Sequence, residues 1–323
     1  MSFKFYLFLI AAFVLLALVA VSSGGASISL GDIVKFFTFG ELDETKELIL
    51  TQMRLPRLVL GILIGALLAT SGVVVQSVFL NPLADPYIIG IASAATFGAV
   101  IAYLLGLSDV FYGIFAFLAA SGLSLVIFKL AAHTRSISTL LIVGIAASSF
   151  LGAFTSFAVY LIGEDSFRIT AWMMGYLGGA NWQKIALLLP PLLFCMAYFY
   201  AKRHELNIIL NGDEEAKSLG LNVEKSKKSL LIVSSLIIGF SVAFTGMIGF
   251  VGLIIPHTLR MALHTASNAV LIPASALTGG VFLVFCDVIA KNALSPVEIP
   301  IGVVTSFFGA PIVLWLLVKR RGK

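Results

Sequence analysis

Charged residues are scarce in this chain of 323 residues, at 11% of positions against 59% for hydrophobic residues. A soluble domain carries roughly 25% charged residues, so this chain has too few polar groups to cover a globular surface. Lipid must therefore surround most of its length. Each spanning helix needs about 20 mostly apolar residues, and the length allows about ten of them. The runs are apolar on every face, which excludes the alternating strands of a membrane β-barrel.

Several chemistries lack the residues that they need. Cys195 and Cys286 stand alone in apolar runs, so neither a disulfide framework nor a cysteine metal site is indicated. His257 and His264 have no carboxylate or cysteine to complete a metal site. The phosphate-binding pattern Gly-x-x-x-x-Gly-Lys-[Ser/Thr] does not occur, so ATP hydrolysis by that route needs a separate polypeptide. The sequence therefore predicts no catalytic, cofactor-binding or metal-binding residue and no enzyme activity.

Apolar runs and the residues that break them predict ten spans. They cover residues 5–22, 57–78, 88–106, 110–130, 138–161, 184–201, 229–249, about 250–265, 271–290 and 301–318. With the amino end inside, fourteen Lys and Arg residues fall on the cytoplasmic side and seven outside, so both termini are predicted to be cytoplasmic. These cations do not form one patch, so nucleic acid is not an expected partner. The first run also fits a cleaved signal peptide, although an uncleaved helix is the simpler account.

The longest polar stretch runs from Lys202 to Lys228, between the sixth and seventh predicted spans. Residues 213–220 predict a short helix, in which Asp213 caps free backbone amides and Gly220 supplies the left-handed residue that ends it. Asn222 is predicted to start a second short helix. Two such helices, within about residues 211–228, would form a docking surface on the cytoplasmic face; an ordinary solvated loop is the alternative.

Basic residues also stand at predicted outer helix ends. Arg54 and Arg57 flank Pro56, which fits the first turn of a helix. The helix dipole disfavours cations there, so their placement indicates an outside partner that carries carboxylates; interfacial anchoring is the alternative. Asp287 and Lys291 lie four residues apart and are predicted to pair on one helix face, with Lys291 still able to project outward.

Small residues in the second predicted span indicate close helix packing. Gly61 and Gly65 have the four-residue spacing of a helix crossing. In lipid, small side chains let helix backbones approach and pack by dispersion. We expect this crossing inside the chain rather than between two copies.

Four long motif groups stand in order along the chain. They are Arg54-Leu55-Pro56-Arg57; Ser71-Gly72 through Gln76 to Asn81-Pro82-Leu83-Ala84-Asp85-Pro86; Gly249-Phe250-Val251-Gly252-Leu253-Ile254-Ile255-Pro256-His257 with Arg260; and Glu298-Ile299-Pro300-Ile301-Gly302-Val303-Val304-Thr305 to Gly309-Ala310-Pro311. Together they resemble the permease family of siderophore, haem and vitamin B12 importers, the type II ABC importers. The resemblance covers essentially the whole chain.

This resemblance implies an all-α integral membrane fold of about ten helices, in one permease domain over residues 1–323. It implies a second permease copy, two cytoplasmic ATPase subunits and a periplasmic or lipid-anchored substrate-binding protein. Docking of the binding protein would fall on Arg54, Arg57 and Lys291, where family members can carry arginine in place of the lysine. The coupling helix would be Asp213, Glu214, Glu215, Ala216, Lys217, Ser218, Leu219 and Gly220. The cytoplasmic gate would include Ser136, Ile137, Ser138 and Thr139.

The function that the resemblance implies is import of a bulky metal chelate across a bacterial or archaeal cytoplasmic membrane. A ferric siderophore is the first expectation for the substrate, followed by haem and cobalamin, with an oxyanion as a further alternative. An ion-coupled secondary transporter is a more distant reading, because the centres of the predicted spans are nearly devoid of the buried carboxylates or histidines that coupling needs.

Overall fold

This computed structural model describes residues 2–24, 28–40, 42–134 and 137–321. Most of these residues lie in helices. The first eight α-helices are α1 (Ser2–Ser22), α2 (Leu30–Phe39), α3 (Glu44–Ile49), α4 (Leu55–Val78), α5 (Ile91–Leu104), α6 (Asp109–Thr134), α7 (Ile137–Ile162) and α8 (Phe167–Met173). The others are α9 (Trp182–Ala201), α10 (Arg203–Ile209), α11 (Asp213–Ser218), α12 (Val223–Thr245), α13 (Val251–Leu263), α14 (Asn268–Asn292) and α15 (Ile301–Arg321). A π-helix covers Leu50–Arg54, and short 3₁₀ helices cover Pro86–Ile89 and Gly163–Ser166.

Helix length and composition identify six candidate membrane spans within the described residues. They are Glu44–Val78, Val110–Ile127, Ile142–Met173, Trp182–Ala201, Val223–Thr245 and Asn268–Asn292. Four shorter apolar helices, Leu9–Ser22, Ile91–Leu104, Val251–Leu263 and Ile301–Trp315, lie over the other predicted spans. Each of the ten apolar runs in the sequence therefore lies on a helix, and six of these meet the length expected of a span.

The second predicted span begins earlier than the sequence indicated. Helix continues from Glu44 through the π-helix and into α4 without a break. Pro56 lies in the first turn of α4, as predicted. The backbone N–H of Leu55 donates to Leu50 five residues back, and this wider turn carries the helix into the proline-containing segment. The expectation that Arg54 and Arg57 flank a free helix start is therefore wrong, and so is the dipole penalty inferred from it.

Helix α4 lies at the centre of the molecule, and nearly all of its side chains from Leu60 onward are buried. An added Cβ at Gly65 would come within 3.0 Å of the backbone of Gly279 in α14. An added Cβ at Gly72 would meet the backbone of Gly252 in α13 equally closely. The predicted close crossing inside the chain is thus confirmed at Gly65, since only glycine lets these backbones approach so closely. A Cβ added at Gly61 would meet side-chain atoms of Leu177 and Val284 at an ordinary 3.5 Å.

The helical run after α12 is interrupted at residues 246–250, where Gly246 and Phe250 both have φ 68°. The break leaves backbone carbonyls without a partner in the helix. One of them, the carbonyl of Thr245, accepts a hydrogen bond from the backbone N–H of Tyr176 at 2.8 Å. A break of this kind is tolerated at membrane depth only where protein surrounds it. Helix α13 then starts at Val251 and has 13 residues, which explains why the eighth predicted span looked short.

The two predicted sites lie at opposite ends of α4. Arg57 is in its first turn, whereas Gln76, in its last turn, lines a pocket together with Asn211 and Gly212. Arg57 and Gln76 are nineteen positions apart on α4, a rise of about 28 Å. We refer to these as the Arg57 end and the α11 end. Which of the two ends faces the cytoplasm stays a prediction.

Candidate docking and coupling sites

Arg57 is held by two carboxylates at the Arg57 end. Its Nε and Nη2 donate to Oδ1 of Asp287 at 3.0 and 2.9 Å, and its Nη1 donates to Oε1 of Glu298 at 2.9 Å. The Arg57 side chain is 12% exposed, that of Asp287 6% and that of Glu298 32%. Forked Arg–carboxylate contacts of this type are stronger than neutral hydrogen bonds and fix geometry. Arg57 thereby joins α4 to α14 and to the segment that precedes α15.

An aromatic ring completes the surroundings of this guanidinium. The Cζ atom of Arg57 lies 5.7 Å from the ring centroid of Tyr176, within the range of a cation–π contact. Arg57 therefore contacts three separate chain segments besides its own helix. Its position is set by these partners, of which Glu298 and Tyr176 are partly open to the surface.

Arg54 and Lys291 bind the carboxyl end of α1. Arg54 Nη1 donates to the carbonyls of Val21 and Ser22 at 2.5 and 2.9 Å, and Lys291 Nζ donates to that of Ala20 at 2.9 Å. Both side chains are buried. The last carbonyls of a helix carry partial negative charge and have no partner within the helix. The two cations supply those partners from other helices.

The three predicted docking residues are thus brought together, but mostly inside the protein. The predicted Asp287–Lys291 pair is confirmed, with Nζ 3.7 Å from Oδ2. The partners of Arg57 were not predicted, because Asp287 and Glu298 lie 230 and 241 residues away along the chain. One signal was available: Asp287 and Glu298 are acidic residues beside apolar runs, where an ionised group needs a partner.

Helix α11 closely follows the predicted coupling segment. It covers Asp213–Ser218, and Gly220, with φ 84°, provides the left-handed residue just beyond it. Ala216 is fully buried and seats the helix against the protein, while Leu219 is 62% exposed. Carboxylates fill the first turn, where the helix dipole favours them. The helix therefore offers a fixed, largely exposed polar surface.

Asp213 does not cap α11, contrary to expectation. The N-cap is Gly212, with φ 107°, and it makes no side-chain capping bond. Asp213 accepts a hydrogen bond from Lys227 Nζ at 2.5 Å instead. The Lys227 side chain is 6% exposed, so this pair is partly buried. The pairing fastens α11 to the first turns of α12.

The predicted second short helix is also corrected. Asn222 does start a helix, since its side chain accepts from the backbone N–H of Lys225 at 3.0 Å, but that helix is the long α12. Nothing in the sequence after Lys228 breaks the helix, so it runs on into the apolar segment. The additional short helix at this end is α10, which lies between α9 and α11.

A hydrogen bond to a carboxylate ties α10 to α12. Glu205 accepts from Lys202 Nζ and from Ser226 Oγ, each at 2.5 Å. The hydrogen bond to Glu205 raises the pKa of Lys202. Burial alone would raise the pKa of Glu205, yet the hydrogen bonds from Lys202 and Ser226 hold it below its usual value. Helices α10 and α11 are therefore both braced on α12.

The predicted gate falls at the edge of the described chain. Ser136 lies outside the described residues. Ile137, Ser138 and Thr139 form the first turn of α7. The gate assignment therefore stays a prediction.

Comparison with known proteins gives concordant matches over nearly the whole chain. The FecCD transport family matches residues 10–319. The cobalamin import system permease protein BtuC of Halobacterium salinarum is 42% identical over 283 residues, which are 86% of this chain and 75% of that protein. The vitamin B12 import system permease protein BtuC of Klebsiella pneumoniae is 38% identical over 281 residues, 86% of this chain and 84% of that protein.

A solved structure has the same fold. It is an inward-facing conformation of a protein assigned to the metal-chelate type of ABC transporter. Its TM-score is 0.87 at 31% sequence identity, and the match covers 98% of this chain and 99% of that one.

Proposed function

Since the chain belongs to the FecCD transport family, we propose that it is the ten-span permease subunit of a cobalamin importer in a cytoplasmic membrane. The chain is a membrane-transport permease of the ABC-importer type. The observation that carries the choice of cobalamin is the 42% identity to a cobalamin import permease over 86% of the chain. The ferric siderophore that the sequence first suggested, or haem, is the second candidate; the structural relative is of the metal-chelate type, a class that fits cobalamin, siderophores and haem alike.

The partners follow from the same proposal. Two ATPase subunits bind at the α11 end, on the cytoplasmic side, and a substrate-binding protein docks at the Arg57 end. A second copy of this chain completes the pathway. Support for this arrangement comes from the exposed, acidic surface of α11 and from the cluster of basic residues about 28 Å away at the other end of α4.

Transmission of movement is the role proposed for α11. ATP binding draws the two ATPase subunits together and shifts the groove in which α11 sits. Because Lys227 binds Asp213, and Ser226 binds Glu205, a shift of α10 and α11 is passed directly to α12. Helix α12 packs against α4 and α6, so the movement reaches the helices at the centre of the bundle.

Reconstitution of transport tests the proposal. The permease is placed in liposomes with its ATPase, and its binding protein is added on the Arg57 side with cobalamin, a ferric siderophore or haem. We expect ATP-dependent uptake of cobalamin, and no uptake with an ATPase variant that binds but cannot hydrolyse ATP. Uptake of the siderophore or haem without cobalamin would move the assignment to the second candidate. ATP-independent uptake driven by an ion gradient would reject the importer mechanism.

A further inference from the structure

A pocket of about 360 Å³ opens at the α11 end, next to the residue that precedes α11. Its walls come from the turn after α4, from the link between α10 and α11, and from the last turn of α13: Leu80, Asn81, Pro82, Asn211, Gly212 and Arg260. None of these side chains is acidic. The pocket therefore has a positive wall and lies where a partner seated on α11 would reach it.

Arg260 is held in place by Gln76. Its Nη1 donates to Oε1 of Gln76, and Nε2 of Gln76 donates to the carbonyls of Gly252 and Leu253 at 3.2 and 3.0 Å. Gln76 is buried, so both ends of its amide are committed to α13. The guanidinium is thereby oriented by a neutral group, which leaves its charge uncompensated.

Within the described chain, Arg260 forms no ion pair. Two carboxylates at this end are engaged elsewhere, Asp213 with Lys227 and Glu205 with Lys202. A guanidinium has five N–H donors, and Arg260 is partly buried. A cation removed from water is unfavourable unless an anion accompanies it. An oriented, half-buried cation in an open pocket without acidic walls is suited to receive an anion.

We propose that the Arg260 pocket receives a carboxylate side chain of the ATPase subunit that docks on α11. This inference rests on the proposed function. The first turn of α11 is acidic and would bind a basic surface on the partner. The adjacent pocket contains Arg260 and would bind an acidic residue beside that basic surface. Such alternating charges fix the register of two docked surfaces and disfavour wrong partners. The ligand is a protein carboxylate because the pocket adjoins Gly212, the residue from which α11 starts.

The affinity of the purified ATPase for the permease in nanodiscs measures this contact. We expect Arg260→Gln to weaken binding by about tenfold to a hundredfold, the range for a lost charge-assisted hydrogen bond. Arg260→Lys keeps the positive charge but loses the planar, two-pronged guanidinium. Its affinity for the ATPase should therefore lie between that of Arg260→Gln and that of wild type. The matched control is Arg203→Gln at the same end, because Arg203 stacks on the Tyr200 ring at 4.3 Å and lies outside the pocket. That control should bind like wild type.

Three results would overturn the inference. The first is unchanged affinity in Arg260→Gln when its thermal unfolding and its affinity for the binding protein match wild type. The second is an Arg260 effect that vanishes in phosphatidylcholine nanodiscs and returns with phosphatidylglycerol, which would make a lipid headgroup the ligand. The third is a set of ATPase carboxylate-to-amide variants of which none is coupled to Arg260→Gln in a double-mutant cycle. Wild-type permease that binds no ATPase at all would reject the proposed function as well.

Discussion

At the scale of single residues, Glu298 controls the availability of Arg57. It occupies Nη1 of the guanidinium and is the more exposed of its two carboxylate partners. An acidic residue from a docking protein that binds Arg57 must displace it. The docking proposed for this end would therefore be a competition between an internal and an external carboxylate, rather than the addition of an anion to a free cation.

This competition predicts that Glu298→Gln binds the substrate-binding protein more tightly, by about three- to tenfold. The variant leaves Asp287 to orient Arg57 but removes the competing charge. Titration of the binding protein onto permease in nanodiscs measures the change. Asp32→Asn is the control, since Asp32 lies at the same end and contacts Lys46 and the backbone N–H of Ser29 rather than Arg57. Equal or weaker affinity in Glu298→Gln would show that Arg57 has a purely structural role.

Removal of Arg57 itself should destabilise the fold. Arg57→Met leaves the buried Asp287 without its forked partner, and breaking a buried pair costs about 3–5 kcal/mol. The comparison variant is Lys46→Met, which breaks the more exposed pair with Asp32 and should destabilise the fold much less, because solvent screens that pair. Unfolding in detergent with increasing denaturant gives both values. Similar losses in the two variants would contradict a special role for the buried pair.

At the scale of helices, the tie between α11 and α12 predicts a coupling defect. Lys227→Met removes the contact to Asp213 without touching the exposed surface of α11. We expect the ATPase to bind and hydrolyse ATP, with cobalamin taken up per ATP reduced severalfold. Lys225→Met is the matched control, because Lys225 is exposed on the same turns of α12. If the two variants take up the same amount of cobalamin per ATP hydrolysed, Lys227 does not transmit movement from α11 to α12.

Helix α11 and the outer cluster show what sequence can and cannot predict here. The end of α11 was predictable because Gly220 is a local signal for a left-handed residue. The absence of a capping role for Asp213 was not predictable, because its partner, Lys227, comes from the next helix. The contacts of Arg57 were still harder to predict from the sequence, because they depend on how α4 packs against α14. Local chemistry predicts where elements end; long-range ion pairs require the packed fold.

At the scale of the whole molecule, everything proposed depends on which end faces the cytoplasm. The two ends of α4 carry opposite roles, so a reversed orientation would place α11 beside the binding protein and the Arg57 cluster beside the ATPase. Charge counting assigns α11 to the cytoplasm. The fold adds a geometric constraint, because Lys46 and Lys217 must lie on opposite faces if the bundle spans the membrane.

Single-cysteine labelling tests this orientation. Cys195 and Cys286, both buried, are first replaced by alanine, and one cysteine is then introduced by Lys46→Cys or Lys217→Cys. A membrane-impermeant maleimide should label the Lys46→Cys protein in intact cells and the Lys217→Cys protein only in inside-out vesicles. The parent without cysteine controls for background, and uptake by each variant shows that it is folded. Labelling with the sides exchanged would reverse the topology, and with it the assignment of ATPase and binding protein to the two ends. Labelling of both positions from one side would reject the arrangement of the two sites across a membrane.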